Sequence, residues 1–154
     1  MVRLNDISAL ERDHILEKAL PTYESRPWVE GPPLAERRVA IVTTAGLHRV
    51  DDESFSFVDL SYRVIPGDVA LGDLTMTHSS VHFDRVGFRE DVNTVFPLDR
   101  LRELADDGVI GSVADHHYSL MGAGWPPEMI EPTANELARL LKADGVDAVC
   151  LVPV

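Results

Sequence analysis

Val39-Ala40-Ile41-Val42-Thr43-Thr44-Ala45-Gly46 decides how the rest of the chain reads. Its first four residues are apolar without alternation, and three of them are β-branched. A strand buried on both faces reads this way, because neither face meets water. The two threonines and the glycine that follow form the loop at its carboxyl end. In open α/β sheets that end is where ligands bind.

The same reading extends outward. Asp147-Ala148-Val149-Cys150-Leu151-Val152-Pro153-Val154 is a second near-continuous apolar run. Leu60 to Ile65 predicts another strand, stopped by Pro66-Gly67-Asp68, and Val92 to Phe96 a further one, stopped by Pro97. Between them lie helical patterns. Leu98, Leu101, Leu104 and Ala105 share a face, with Gly108 ending the run. Thr133 and Glu136 have capping-box spacing ahead of Ala134, Leu137, Ala138, Leu140 and Leu141, and Gly145 closes that helix. Ile7, Leu10, Ile15, Leu16 and Leu20 predict a first helix closed by Pro21, followed by a proline-rich connection to Pro33.

Strands alternating with helices predict an α/β fold with three layers and a mostly parallel, doubly wound sheet, Rossmann- or flavodoxin-like. The expected organisation is an N-terminal helix and connection over residues 1–36 and an α/β body over 37–154. No G-x-G-x-x-G or P-loop pattern follows the first strand, so neither a dinucleotide nor a nucleotide cofactor is expected.

Composition narrows the function classes. A net charge of −12 without a basic cluster argues against nucleic acid and against anionic membrane surfaces, both of which are bound through basic groups. No stretch has the apolar length of a membrane span, and the N-terminus lacks a signal-peptide core. One cysteine, Cys150, cannot build an internal disulfide framework, which suits a reducing compartment. The expected address is the cytoplasm. Cys150 sits within an apolar run and reads as a packing residue, its thiolate disfavoured by burial.

Four segments carry a family likeness: VAIVTTAG (39–46), DLSYRVIPGD (59–68), HSSVHFD (78–84) with DVNTVFPLDRL (91–101), and DGVDAVCLVPV (144–154). They resemble the selenoprotein B subunits of glycine/sarcosine/betaine reductase and D-proline reductase over roughly Arg37 to Val154. The resemblance implies reductive cleavage of a C–N bond in a small amino acid or its N-methylated derivative. A selenocysteine selenolate would attack carbon and a nearby thiol would complete the redox cycle. It also implies partner subunits, one bearing a pyruvoyl group and one a selenol or thiol. In that family the selenocysteine follows the strand that here reads VCLVPV. This sequence has no residue after Val154, so the expectation is either a chain truncated at a selenocysteine codon or an edge completed by another polypeptide, a second copy included.

Within the chain, His78, His82, Asp84, His116 and His117 are candidates for proton transfer or amine recognition, since imidazole titrates near neutral pH. Thr43, Thr44, Gly46 and His48 line the loop after the first strand. Arg63 and Arg85, with Arg89, are candidates for holding a substrate carboxylate, which guanidinium grips in bidentate geometry. The histidine spacing matches no established metal motif, and solvated or backbone-bonded loop residues are the plain alternative. Two other functions compete. One is a non-catalytic module that binds a small zwitterion or docks a partner through its last strand. The other, less favoured, is a metal-dependent lyase or hydrolase built on the histidines.

Overall fold

The fold is that of a computed structural model, which describes residues 3–17, 22, 24, 26, 28–57, 59–80, 83–122 and 125–154. In chain order its helices are α1 (Ala9–Leu16), α2 (Val86–Glu90), α3 (Leu98–Asp106) and α4 (Pro127–Ala143). Its strands are β1 (Arg38–Thr43), β2 (Leu47–Arg49), β3 (Tyr62–Pro66), β4 (Leu74–Met76), β5 (Ser112–Val113), β6 (His116–Leu120) and β7 (Ala148–Val152).

The predicted first strand is β1, the hub of the sheet. It pairs in parallel with β7 along its whole length, with β5 at its start and with β6 at its end. Strand β3 runs antiparallel to β6. The sheet is therefore mixed and curled. β2 and β4 form a separate antiparallel pair beyond the carboxyl end of β1.

Alternate residues of β1 feed two clusters. Val39 and Ile41 join Leu47, Ile65, Phe96, Leu98 and Leu101 in the larger one, on the side of α3. Val42 joins Tyr62, Tyr118, Leu120, Leu137 and Leu141 on the side of α4. Phe96, Ile41, Leu47 and Ile65 are fully buried, each contributing about 1.5–3 kcal/mol by removal from water.

Several elements differ from their predicted form. Val92–Thr94 is a 3-10 turn, because Asp91 caps it through Asn93 N–H and Pro97 follows. The last helix begins at Pro127, six residues before the predicted cap. Thr133 lies inside it and donates its hydroxyl to Leu60 O at 2.8 Å. Proline at the first helical position needs no N–H partner, which makes Pro127 the better start. Helix α1 ends at Leu16, and its Leu10, Ile15 and Leu16 are exposed. Leu20 and Pro21 lie outside the described residues.

The β1–β6 ladder has an interruption. Between the Val39–Val113 and Val42–Tyr118 pairs lie two residues of β1 but four of its neighbour. The extra residues, Ala114-Asp115, form a bulge between β5 and β6. Two side chains fill the gap. Nδ1 of His117 accepts the Ile41 N–H at 2.9 Å, standing in for a strand carbonyl. Arg38 donates to Val113 O and to the carbonyl and carboxylate of Asp144, and pairs with Asp115.

Candidate functional site

The carboxyl end of β1 is tied down residue by residue. Thr43 is fully buried, and its hydroxyl donates to Val95 O at 2.9 Å and accepts from Ala45 N–H. Thr44 cross-links three strand ends. Its N–H donates to Val152 O, its carbonyl accepts Gly122 N–H, and its hydroxyl accepts Val154 N–H at 2.9 Å. The predicted loop thus lies directly beside the last residue of the chain.

Gly46 allows the next layer to approach. Its φ is +65°, and a Cβ there would stand 2.3 Å from Thr77 O. Thr77 N–H donates to Gly46 O, which delivers His78 to the strand ends. Gly122 is equally tight, since a Cβ would meet Thr44 at 2.8 Å.

His78 is buried, with its ring against Phe83 at 5.2 Å between centroids. Nδ1 accepts Ser80 N–H at 3.2 Å. Nε2 is shielded from solvent, and no acceptor meets it in hydrogen-bond geometry. Burial first, and then the Arg85 charge, hold the His78 pKa below its ordinary value. The nearby carbonyls of Gly122 and Thr44 oppose this without reversing it. Arg85 donates from Nη2 to His78 O at 2.6 Å and to Ser80 O at 3.4 Å. Asp84 is exposed and accepts Val86 N–H, which starts α2. His82 lies outside the described residues.

The other candidates stand elsewhere. His48 is buried beneath the loop. Its Nδ1 meets Arg49 O at 2.8 Å and its Nε2 meets the Thr77 hydroxyl at 3.0 Å, so both ring nitrogens are engaged. Arg63 makes five donor contacts, to the carbonyls of Glu53, Ser54 and Tyr62, the Ser61 hydroxyl and the Asp59 carboxylate. Its guanidinium also lies over Phe55 at 4.3 Å. A guanidinium has five N–H groups, so Arg63 clasps its own loop and has no donor left for a carboxylate.

His116 and His117 are at the opposite end of the sheet. His116 is exposed, 3.9 Å from an oxygen of Asp144. His117 is in the core beside Phe96, and burial, followed by the Arg102 charge, lowers its pKa to about 4. From His117 to Gly122 the strand spans about 16 Å at ~3.3 Å per residue. His78 therefore does not meet His116 or His117. An open depression of about 440 Å³, lined by Pro66, Gly67, Asp68, Val113, Ala114, Asp115 and His116, lies at that far end. It shares no residue with the strand-end group, whose converging polar atoms make it the better candidate. Among the described residues no group of three or more His, Cys, Asp or Glu could hold a metal ion. Cys150 is half-buried and packs against the larger core cluster.

Comparison with known proteins gives consistent results. The family model described as glycine/sarcosine/betaine reductase selenoprotein B matches residues 29–154. D-proline reductase subunit gamma of Acetoanaerobium sticklandii is 40% identical over 77% of this chain and 49% of its own. Glycine reductase complex component B subunit gamma of Symbiobacterium thermophilum is 32% identical over 88% of this chain and 33% of its own. Sarcosine reductase complex component B subunit beta of Peptoclostridium acidaminophilum is 32% identical over 77% of this chain and 28% of its own. The chain thus spans between a quarter and a half of the length of these relatives. No solved structure matches it. Among the described residues no helix is long and apolar enough to cross a membrane.

Proposed function

This chain belongs to the glycine/sarcosine/betaine reductase selenoprotein B family, and we propose that it is a component of a reductase that cleaves the C–N bond of a small amino acid or N-methylated amine. Relatives are named for glycine, sarcosine, betaine and D-proline, which supports that substrate class. Their names also place them as subunits of complexes, which supports partner subunits for this chain. In this reading residues 37–154 are the working body, residues 1–36 are an arm, and the protein acts in the reducing cytoplasm.

The observation that carries the proposal is the meeting of Val154 with the site. Thr44 holds the Val154 backbone at 2.9 Å, at the strand end where the buried His78 presents an unengaged Nε2. The attacking selenolate or thiolate is delivered there from an adjoining or partner polypeptide, because Cys150 packs against the core instead. Its attack on carbon forms a Se–C or S–C bond as the C–N bond breaks and the nitrogen takes up a proton, departing as a free amine or, from the ring of D-proline, staying attached as the ring opens. A second thiolate then attacks the selenium or sulfur, forming a selenium–sulfur or disulfide bond as the Se–C or S–C bond breaks. Carbon keeps that electron pair and takes up a proton, so the two electrons it gains are those the selenol and thiol lose, and a dithiol restores them.

The test is reconstitution with a pyruvoyl-bearing partner and a selenol or thiol subunit, followed by assay of all four amines with a dithiol reductant. Cleavage of at least one is expected, read as released amine from glycine, sarcosine or betaine and as ring-opened 5-aminopentanoate from D-proline. No cleavage of any of the four, with the components shown to assemble, would reject the reading. A docking role has its own support: the outer edge of β7 is open among the described residues, and Leu151 is 71% exposed. Assembly without turnover would favour it. Stoichiometric zinc or iron in the purified chain would revive the metal-dependent alternative.

A further inference from the structure

We infer that His78 and Arg85 together hold the carboxylate of a small substrate, with His78 acting through its Nε2–H as a hydrogen-bond donor and not as a base or a metal ligand. The inference rests on the functional reading above and assigns the atoms that would grip the substrate.

The His78 tautomer follows from geometry. Ser80 N–H points at Nδ1, so that lone pair is occupied. In a neutral ring the proton then sits on Nε2, which becomes a donor with no lone pair to offer. This donor is buried and has no acceptor in hydrogen-bond geometry. His117 Nε2 and Trp125 Nε1 are also buried without a partner, so an orphan alone marks no site. His78 differs in standing at the strand ends beside the Arg85 charge, where an incoming anionic oxygen would satisfy it. Burial and the Arg85 charge favour the neutral ring, against the weaker pull of the Gly122 and Thr44 carbonyls.

Arg85 adds charge beside it. Its Nη2 is anchored on the carbonyls of His78 and Ser80, which fixes the guanidinium against the same segment. Among the described residues its Nε–H and Nη1–H groups have no partner. Among the described residues no carboxylate pairs with it, and Asp84 accepts Val86 N–H. The site is thus a local positive charge in a chain of net charge −12. Arg63, another guanidinium considered, stands elsewhere and has no donor left.

Ligand chemistry points the same way. Glycine, sarcosine, betaine and D-proline differ at nitrogen, from primary amine to quaternary ammonium. They share a carboxylate on the adjacent carbon. A subsite serving all four grips that carboxylate, for which guanidinium and an N–H donor are suited. A quaternary ammonium would instead need an aromatic cage or a carboxylate. Phe83 is the single aromatic ring in contact with His78 among the described residues. Nε2 is shielded from solvent in this structure, so neighbouring side chains part as a ligand enters.

The test uses the 154-residue chain labelled with 15N and read through its imidazole nitrogens. His78 is expected as the Nε2–H tautomer at pH 7, and sodium acetate is expected to shift that nitrogen in a saturable way. Tetramethylammonium chloride at equal ionic strength is expected to leave it unmoved. Acetate affinity should fall about tenfold or more in H78L and in R85Q, and within about threefold of the parent in H78Q, whose amide restores a donor. An Nδ1–H tautomer, an unmoved His78 nitrogen under acetate, or a response to tetramethylammonium alone overturns the assignment. The tautomer measurement needs no variant, so it stands even where H78L does not fold. Amine reduction with unchanged KM in both H78L and R85Q defeats this assignment and leaves the functional reading intact. Acetate binding as expected, with no amine reduced by the assembled complex, does the reverse.

Discussion

Ile41 donates its amide proton to Nδ1 of His117 in the middle of the sheet, where the neighbouring strand offers no carbonyl. The bond requires an unprotonated Nδ1, and the ring is fully buried. Its pKa accordingly falls to about 4 from an ordinary value of 6.5. Between those values the unfolded chain binds a proton that the folded chain refuses. Stability is therefore full above pH 6.5 and is lost as pH falls through 4, by about 3 kcal/mol in all. Urea unfolding from pH 7 to pH 4 is expected to show this slope. In His117→Leu the slope should vanish, and stability at pH 7 should drop by about 1–3 kcal/mol because Ile41 N–H is orphaned. Gly46 has a different constraint. Its positive φ and the 2.3 Å approach of Thr77 O exclude a Cβ, so Gly46→Ala should cost at least ~2 kcal/mol, measurable in the same titration.

At the scale of elements, side chains complete what the backbone leaves open. Arg63 gathers the loop from Glu53 to Ser61 onto the start of β3, and Asp59 caps that loop from within. Burial raises the Asp59 pKa, but hydrogen bonds from Ser61 and Ser56 and the Arg63 charge outweigh it and hold the carboxyl below its ordinary value. Lysine offers three donors on a point charge in place of a planar fork. Arg63→Lys should therefore release the loop without unfolding the sheet. Amide exchange at Ser56 and Ser61 is expected to speed by about tenfold, with β1 amides unchanged. Helix α4 is pinned to the same region through Thr133 and Leu60 O. Thr133→Val keeps the shape and removes the hydroxyl, and should cost about 1 kcal/mol in thermal or urea unfolding.

For the whole molecule these local terms set an acid profile with two phases. The first is the His117 loss between pH 6.5 and 4. The second involves Asp59 and Asp144. Burial raises the Asp144 pKa, but hydrogen bonding and charge from Arg38, with help from His116, hold it below its ordinary value. A depressed carboxyl contributes stability above its unfolded pKa near 3.8, and that contribution is lost as pH falls through the lower folded value. Circular dichroism during acid titration should show the second phase in His117→Leu and not the first. One phase common to both proteins would show that the buried imidazole is not what makes the chain acid-sensitive.

Much of this was legible in the sequence. The apolar run at Val39 announced β1, the run at Ala148 announced β7, and the spacing of Leu98, Leu101 and Leu104 announced α3, because burial on one or both faces leaves a periodic mark. The likeness in SYRVIPGD and VCLVPV pointed to the family. Pairing left no such mark. Periodicity records that a residue is covered but not by what, so the antiparallel β3, the 3-10 turn at Val92 and the early start of α4 emerged only from packing. The roles of the histidines and arginines were open for the same reason. Identical residue types at similar spacing became a ladder plug at His117, a loop clasp at Arg63 and an orphan donor at His78. What separates them is the set of atoms brought within 3 Å by residues distant in the chain, which only the tertiary structure decides.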